Sequence, residues 1–371
     1  MWKLMLIILG IAYAVLGVVF YRTFFSHQPI LITPTITNVI TELSSSLPIS
    51  PAKPTITLDP LPQSKLLSND YHIFQTFNNC GPAALSMALS YYDIQVSQAE
   101  LGQQLRPYQR AGGDNDDKST TLEELAQQAE EYNLLTYHRP NGNPDLIKHF
   151  IANDIPVITR TWLSAQEDIG HYRIIKGFDD TSRQFIQDDS LQGKNLYYSY
   201  EDFNVIWEKF NFEYLVLVPK EKKELAEAIL GEDANEQTAW TNAVALSRQH
   251  LNKNANNIYA RFNLSVALYH IDDFEQSVKE FEQVENLLPF RTLWYQIEPI
   301  QAYYELGNYD RVFSITDRIL NNHNRAFSEL YLIRGKIYKK QGNLVAARTE
   351  FEKAVLYNTN LKKAQDALRA L

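Results

Sequence analysis

The sequence has a single cysteine, Cys80, among its 371 residues. One cysteine excludes an intrachain disulfide and any metal site built from several thiolates. Basic residues are also few, because 35 Lys and Arg stand against 44 Asp and Glu and leave a net charge of −9. Nucleic-acid binding needs clustered Lys and Arg to neutralise phosphates, and the sequence has no such stripe. We therefore expect no nucleic-acid partner, no metal and no cofactor.

Charged residues are absent from an apolar run of 17 residues, Leu4 to Phe20. A helix that crosses a bilayer needs about 20 apolar residues, with about 17 at the low end. The residues after Phe20 offer no small-x-small cleavage site, so residues 1–25 predict a signal anchor, with a cleaved signal peptide as the alternative. Lys3 precedes the run, which favours a cytoplasmic amino terminus. We expect a chain anchored in a membrane by this transmembrane helix, with an extracytoplasmic body.

Residues 26–68 are nearly uncharged and rich in Pro, Ser and Thr. Repeated prolines prevent regular helix and favour an extended chain. We predict a linker over this range.

Residues 69–220 change from helical to strand-like patterning along the chain. Helical periodicity covers Pro82–Tyr92 and Leu122–Tyr132. Short apolar runs that predict strands follow at 156–162, 172–178, 184–189 and 214–218. Helices followed by an antiparallel sheet indicate an α+β domain.

Residues 221–371 are helical throughout, and a turn motif recurs every 35 residues. Its three copies are Ile271-Asp272-Asp273-Phe274, Leu306-Gly307-Asn308-Tyr309 and Gln341-Gly342-Asn343-Leu344. The spacing resembles that of the tetratricopeptide repeat, which implies an all-α solenoid with a concave surface for a protein partner. Pro299 falls inside the first helix of the second unit, where we expect it to kink that helix.

The cysteine lies where a helix is predicted to begin. Asn78 or Asn79 is a suitable N-cap, Pro82 suits the first turn, and an apolar stripe follows. The backbone dipoles at a helix amino terminus stabilise an anion and lower the pKa of a thiol. Cys80 is therefore a candidate nucleophile.

His171 precedes the predicted strand Tyr172–Phe178 and is the candidate base. If a hairpin turned at Asp180, residue 171 would face residue 189 on the next strand, with both side chains on one face. This register favours Asp189 over Asp188 as the partner of the imidazole.

Gln75 is five residues before Cys80, and its amide is a candidate donor to a developing oxyanion. Gln-x4-Cys-Gly-Pro opening a helix, Gly-His heading a strand and Asp ending the next strand together resemble the cysteine-peptidase-like family related to double-glycine leader peptidases. The resemblance implies a papain-like fold with Cys80 as nucleophile, His171 as base, Asp189 as the group that orients the base, and Gln75 as oxyanion donor. The sequence departs from the pattern at Ser190, where a proline commonly follows the Asp.

These observations predict a membrane-tethered thiol hydrolase that cleaves peptide bonds in a peptide or protein substrate, with repeats that recruit the substrate or a partner. Two alternatives stay open at this point. One is a peptidase-like adaptor without turnover that acts through the repeats. The other is acyl or amide transfer by the same triad, because a fold and a triad do not determine the acceptor.

Overall fold

The computed structural model describes residues 56–110, 120–322 and 324–371. The predicted anchor, residues 1–25, and most of the predicted linker lie outside the described residues. Among the helices that are described, none is both long and apolar enough to cross a membrane.

The sheet region, residues 56–218, is built on an antiparallel sheet. Its strands are β1 (Ser64–Leu66), β2 (Leu135–Arg139), β3 (Val157–Ser164), β4 (Glu167–Asp179), β5 (Gln184–Asp189), β6 (Gly193–Ser199) and β7 (Tyr214–Val218). Its helices are α1 (Cys80–Leu89), α2 (Gln98–Leu105), α3 (Leu122–Glu130), α4 (Pro144–Ala152) and α5 (Tyr200–Trp207). The antiparallel sheet after the first helices confirms the predicted α+β class.

The strand order is β2-β7-β3-β4-β5-β6, and β1 pairs with the C-terminal end of β4. β1 lies within the predicted linker, so the last residues of that segment add a strand to the sheet. β4 starts at Glu167 and is longer than predicted, because a tight turn at its start keeps it paired with β3. His171 consequently lies inside this strand, opposite Thr161, and not before it.

Apolar side chains cover both faces of the sheet. On one face, Ile158, Ile174 and Leu217 pack against the helices α1, α2 and α3. On the other face, Val157 and Val216 belong to a core that includes α4 and α5 and continues into the C-terminal helices. Alternation of inward residues along each strand produces these two faces.

The helical region, residues 220–371, contributes helices alone within the described part of the chain. They are α6 (Lys223–Leu230), α7 (Glu236–Lys253), α8 (Ile258–His270), α9 (Phe274–Glu282), α10 (Thr292–Tyr295), α11 (Glu298–Glu305), α12 (Tyr309–Leu320), α13 (Ser328–Lys340), α14 (Leu344–Tyr357) and α15 (Lys362–Arg369).

The recurring turn motif joins the helices of three hairpins: α8–α9, α11–α12 and α13–α14. Asp272, Gly307 and Gly342 have φ values of 63°, 72° and 77°, so each copy turns through the left-handed region. The next residue is the N-cap of the second helix, and its side chain accepts a backbone N–H in all three copies. The 35-residue period therefore corresponds to three helical hairpins, and their membership of the tetratricopeptide family stays a prediction.

The expected kink at Pro299 is wrong. Two helices replace the single long one, since α10 ends at Tyr295 and α11 starts at Glu298. Pro299 is in the first turn of α11, where its missing N–H has no intrahelical partner to lose.

The sheet and helical regions are joined by specific contacts. The buried Arg106, just after α2, forms ion pairs with Glu124 and with Glu329 of α13. Asp168 at the start of β4 binds Arg291, with 2.6 Å between Oδ1 and Nη1. The helical region therefore contacts both the helices and the strands of the sheet region.

Candidate active site

Cys80 is the first residue of α1, and only 6 % of its surface is exposed. The side chains of the whole helix are buried, which holds its amino terminus against the sheet. Asn79 is at the N-cap position, but its side chain does not cap the helix. The positive end of the backbone dipoles of α1 therefore lies beside the thiol, where it favours a thiolate.

His171 lies between the thiol and a carboxylate. Its Nε2 is 2.8 Å from Oδ1 of Asp189, and its ring also hydrogen bonds to the side chain of Cys80. Since Nε2 faces the carboxylate, Nδ1 is the nitrogen left for the sulfur. The structure thus brings together residues that are 91 and 18 positions apart in the sequence.

Burial by itself lowers the pKa of His171, because it penalises the charged imidazolium. The hydrogen bonds to Asp189 and to Cys80 outweigh this effect, so the pKa is raised above its ordinary value. The charged form of the ring is therefore favoured at the site.

Asp189 is held in its ionised form although no part of its side chain is exposed. Burial raises its pKa, but the hydrogen bond from His171 and the charges of His171 and Arg173 lower it to about 2. Its Oδ1 also accepts the backbone N–H groups of Leu191 and Gln192, at 2.7 and 2.9 Å. These bonds fix the carboxylate that faces the imidazole.

The predicted hairpin register is wrong, although the predicted partner is in contact. Asp189 pairs with Arg173, and not with His171, because the turn spans four residues and the pairing shifts between Ile175 and Gly177. The imidazole reaches Asp189 diagonally, from two residues along the strand, on the same face of the sheet.

The alternative partner, Asp188, points to the opposite face of the hairpin. Its carboxylate is 2.7 Å from Nζ of Lys176, and both side chains are buried. It also accepts the backbone N–H of Asn195. Asp188 is therefore occupied away from the imidazole.

Gln75 is joined to the residue that follows the carboxylate. Its backbone N–H donates to the carbonyl of Ser190 at 2.7 Å, and the Ser190 hydroxyl donates to its Oε1 at 2.9 Å. Because the amide oxygen is engaged, the amide N–H groups remain as the donors that an oxyanion needs.

Two residues near the site were not predicted as part of it. Ser190, noted in the sequence only as a departure from the family pattern, holds Gln75. Arg173 is fully buried beside Asp189. A signal for Arg173 exists in the sequence, because a charged residue two positions after His171 in an apolar strand shares its face.

The helical region reaches the strand that carries the imidazole. The ring of Tyr295 lies against Gly170, where an added Cβ would be 3.0 Å from the ring. The backbone carbonyl of Tyr295 accepts from Arg160 at 3.2 Å. The helical region therefore contacts β4 at Gly170, the residue that precedes His171.

Residues 56–215 match the Peptidase_C39 like family.

This C39-like region, residues 56–215, contains all four predicted site residues. A crystal structure described as a C39-like peptidase from Bacillus anthracis is 15% identical and covers 43% of this chain and 99% of its own, with a TM-score of 0.37. The peptidase domain of Streptococcus ComA, a bifunctional ABC transporter of a quorum-sensing pathway, is 21% identical and covers 42% and 98%, with a TM-score of 0.32.

A double-glycine-motif protease from an AMS/PCAT transporter, solved with its leader peptide, is 19% identical to this chain. It covers 40% of this chain and 89% of its own, with a TM-score of 0.28. Among curated proteins, none matches this chain. The family match thus covers the sheet region and leaves the tetratricopeptide resemblance of the helical region as a prediction.

Proposed function

We propose that this protein is a membrane-tethered thiol hydrolase that cleaves peptide bonds, with Cys80 as nucleophile, His171 as base and Asp189 as the residue that orients the base. The observation that carries the proposal is the buried series of hydrogen bonds from the thiol through the imidazole to the carboxylate. The match of residues 56–215 to a peptidase-like family agrees with this chemistry.

The charges of the three groups suit a thiolate–imidazolium pair. A raised pKa keeps His171 protonated, and a proton on the ring stabilises a thiolate at Cys80. The ionised Asp189 keeps the ring oriented and compensates its charge.

The reaction follows from these positions. The Cys80 thiolate bonds to the carbonyl carbon of the substrate, while Gln75 donates to the oxyanion. The imidazolium of His171 gives its proton to the leaving nitrogen as the C–N bond breaks. Water then attacks the thioester, His171 accepts a proton from that water, and the C–S bond breaks to release a carboxylic acid and restore the thiolate.

The helical region would recruit the substrate or a protein partner. Its contacts with Asp168 and Gly170, close to His171 along β4, support a role in presenting a substrate to the site. The membrane tether is inferred from the apolar residues of the 1–25 segment.

The test is the pH dependence of Cys80 alkylation by iodoacetamide in the full chain. Because the chain has one cysteine, all labelling reports on this thiol, and Cys80→Ser is the blank. We expect the apparent pKa of the Cys80 thiol in the wild type to lie well below the value of about 8.5 for a free thiol. In His171→Ala, this apparent pKa should rise towards about 8.5. If Cys80 is labelled slowly and at the same rate in the wild type and in His171→Ala, the proposal is overturned. The remaining hypothesis is then a peptidase-like adaptor without turnover.

Digestion of a mixed peptide library in heavy-oxygen water tests the acceptor. Hydrolysis places the label in new carboxyl termini, and Cys80→Ser abolishes it. If an added amine appears in the products in place of the label, the same triad performs acyl transfer.

A further inference from the structure

Arg173 is a fully buried arginine on β4, two residues after His171 and on the same face. Its Nη2 donates to the carbonyl of Leu163 at 2.7 Å, and its Nη1 donates to the carbonyl of Trp162 at 3.0 Å and to the Thr161 hydroxyl. These acceptors are on β3, so the guanidinium is fixed by the strand on one side.

On the other side, Arg173 faces the carboxylate of the triad. Its Nε is 3.4 Å from Oδ2 of Asp189, and neither side chain is exposed. The two carboxylate oxygens therefore have separate neighbours, because Oδ1 binds His171 and the loop amides while Oδ2 faces the guanidinium.

A buried arginine remains charged, so it changes the charge balance of the site. Thiolate, imidazolium and carboxylate together carry one net negative charge, and the guanidinium brings the total to zero. Since charges interact strongly where water is excluded, removing this cation is expected to change the protonation of its neighbours.

Three titratable or charged groups act on the imidazole: Cys80 on α1, Asp189 on β5 and Arg173 on β4. Further groups lie beside these three or beside their neighbours: Tyr198 on β6 acts on Arg173, His72 before α1 bonds to the Asp189 carbonyl, and Arg160 on β3 acts on Tyr172 and on Tyr295 of α10. Among the groups that act on His171, Arg173 opposes its protonation, while Asp189 and Cys80 favour it.

We propose that Arg173 is a positioning residue of this site, whose charge, acting through Asp189 and directly on His171, sets the alkaline limit of the thiolate–imidazolium pair. The inference rests on the proposed function. The Arg173 cation makes the imidazolium easier to deprotonate. His171 therefore loses its proton at a lower pH than it would if Asp189 were its only charged neighbour. The same cation keeps Asp189 ionised and in place.

Two alkylating agents measure this limit. Iodoacetate is negatively charged, so an imidazolium beside the thiolate accelerates its reaction relative to neutral iodoacetamide. The ratio of the two rates falls as His171 loses its proton, and the midpoint of this fall is the alkaline limit. The single cysteine makes the measurement specific in the full chain.

Arg173→Gln removes the charge but keeps amide donors for the carbonyls on β3. We expect the midpoint to rise by about one pH unit, as for the loss of a nearby charge of the same sign as the imidazolium. Arg173→Lys keeps the charge, and its midpoint should stay with that of the wild type. A midpoint that is unchanged or lowered in Arg173→Gln overturns the inference.

Lys176→Met is the matched control. It removes a buried cation that also pairs with an aspartate of β5, but on the opposite face of the hairpin. It should lower stability without moving the midpoint, and an equal shift in this variant would show that the effect is structural. If Arg173→Gln does not fold, Arg173→Lys carries the test, and a shift of its midpoint in either direction contradicts the inference.

The outcomes separate this inference from the proposed function. A wild-type rate ratio that is flat with pH shows that no thiolate–imidazolium pair exists, and the function itself fails. A wild-type ratio that falls with pH, at a midpoint that Arg173→Gln leaves unchanged, rejects the role of Arg173 alone.

Discussion

The sheet region and the helical region bury polar groups in different ways. In the sheet region, Cys80, His171 and Asp189 come from three separate elements and meet inside the protein. In the helical region, Ser265 and Ser277 hydrogen bond to each other between the neighbouring helices α8 and α9. Long-range pairing therefore brings different chemical groups together, whereas the local hairpins repeat one turn motif.

The difference shows what each architecture suits. A sheet with diagonal contacts across strands can hold a base and its partner at 2.8 Å, which is the precision that proton transfer needs. A helical array instead extends a surface by adding similar hairpins. We interpret the sheet region as the place of chemistry and the helical region as the place of recognition, and the variants below test that division.

The largest loss of stability is expected at the joint between the regions, by which we mean the ion pairs of Arg106 and Asp168 that connect them. The Arg106 side chain is buried between Glu124 of α3 and Glu329 of α13. Arg106→Leu leaves both carboxylates without this cation, and we expect a loss of about 3 kcal/mol in the free energy of unfolding. Chemical denaturation of the full chain measures it.

Arg334→Leu is the control for that variant. Arg334 also bridges two acidic residues, Asp317 and Glu350, but all three lie in the helical region. If the joint matters to the site, only Arg106→Leu should also slow the alkylation of Cys80. Equal alkylation rates in the two variants would contradict a functional link between the regions.

A smaller loss of stability is expected when either of two closely packed glycines is substituted, one in each region. A Cβ at Gly81 would overlap the Thr120 hydroxyl, and a Cβ at Gly335 would overlap the Phe351 ring. Gly81→Val and Gly335→Val should each lower the free energy of unfolding by about 2 kcal/mol, because the neighbours must move.

Alkylation separates these two glycine variants. Gly81 follows Cys80, so its substitution should move the start of α1 and slow the labelling of Cys80. Gly335→Val should label at the wild-type rate at temperatures where it is folded. Slow labelling in Gly335→Val would mean that the helical region takes part in the chemistry.

The sequence predicted elements more accurately than it predicted their alignment. The strands at 184–189 and 214–218 have the predicted bounds, because a short apolar run is typical of a strand buried on both faces. The register of the hairpin was wrong, since it depends on turn length and on a bulge that apolar patterning does not encode.

The candidate site shows the same limit. The position of Cys80 at a helix start followed from local signals, and its contact with His171 required the fold. Neither the engagement of Gln75 by Ser190 nor the contact of Arg173 with Asp189 was predicted, because each depends on a pairing between distant segments. Local physics thus predicts which residues begin an element, and tertiary packing decides which of them meet.

The smallest effect is expected at the exposed edge of the same joint. Asp168 binds both the side chain and the backbone N–H of Arg291, but the Arg291 side chain remains 38% exposed. Asp168→Asn should therefore lower the free energy of unfolding by only about 0.5 kcal/mol, and high salt should reduce this difference further. Glu201→Gln, which removes an exposed pair with Arg183 inside the sheet region, should have no measurable effect. A loss of several kcal/mol in Asp168→Asn would instead make this contact a main support of the joint, and the two regions could then no longer be treated as separate in function.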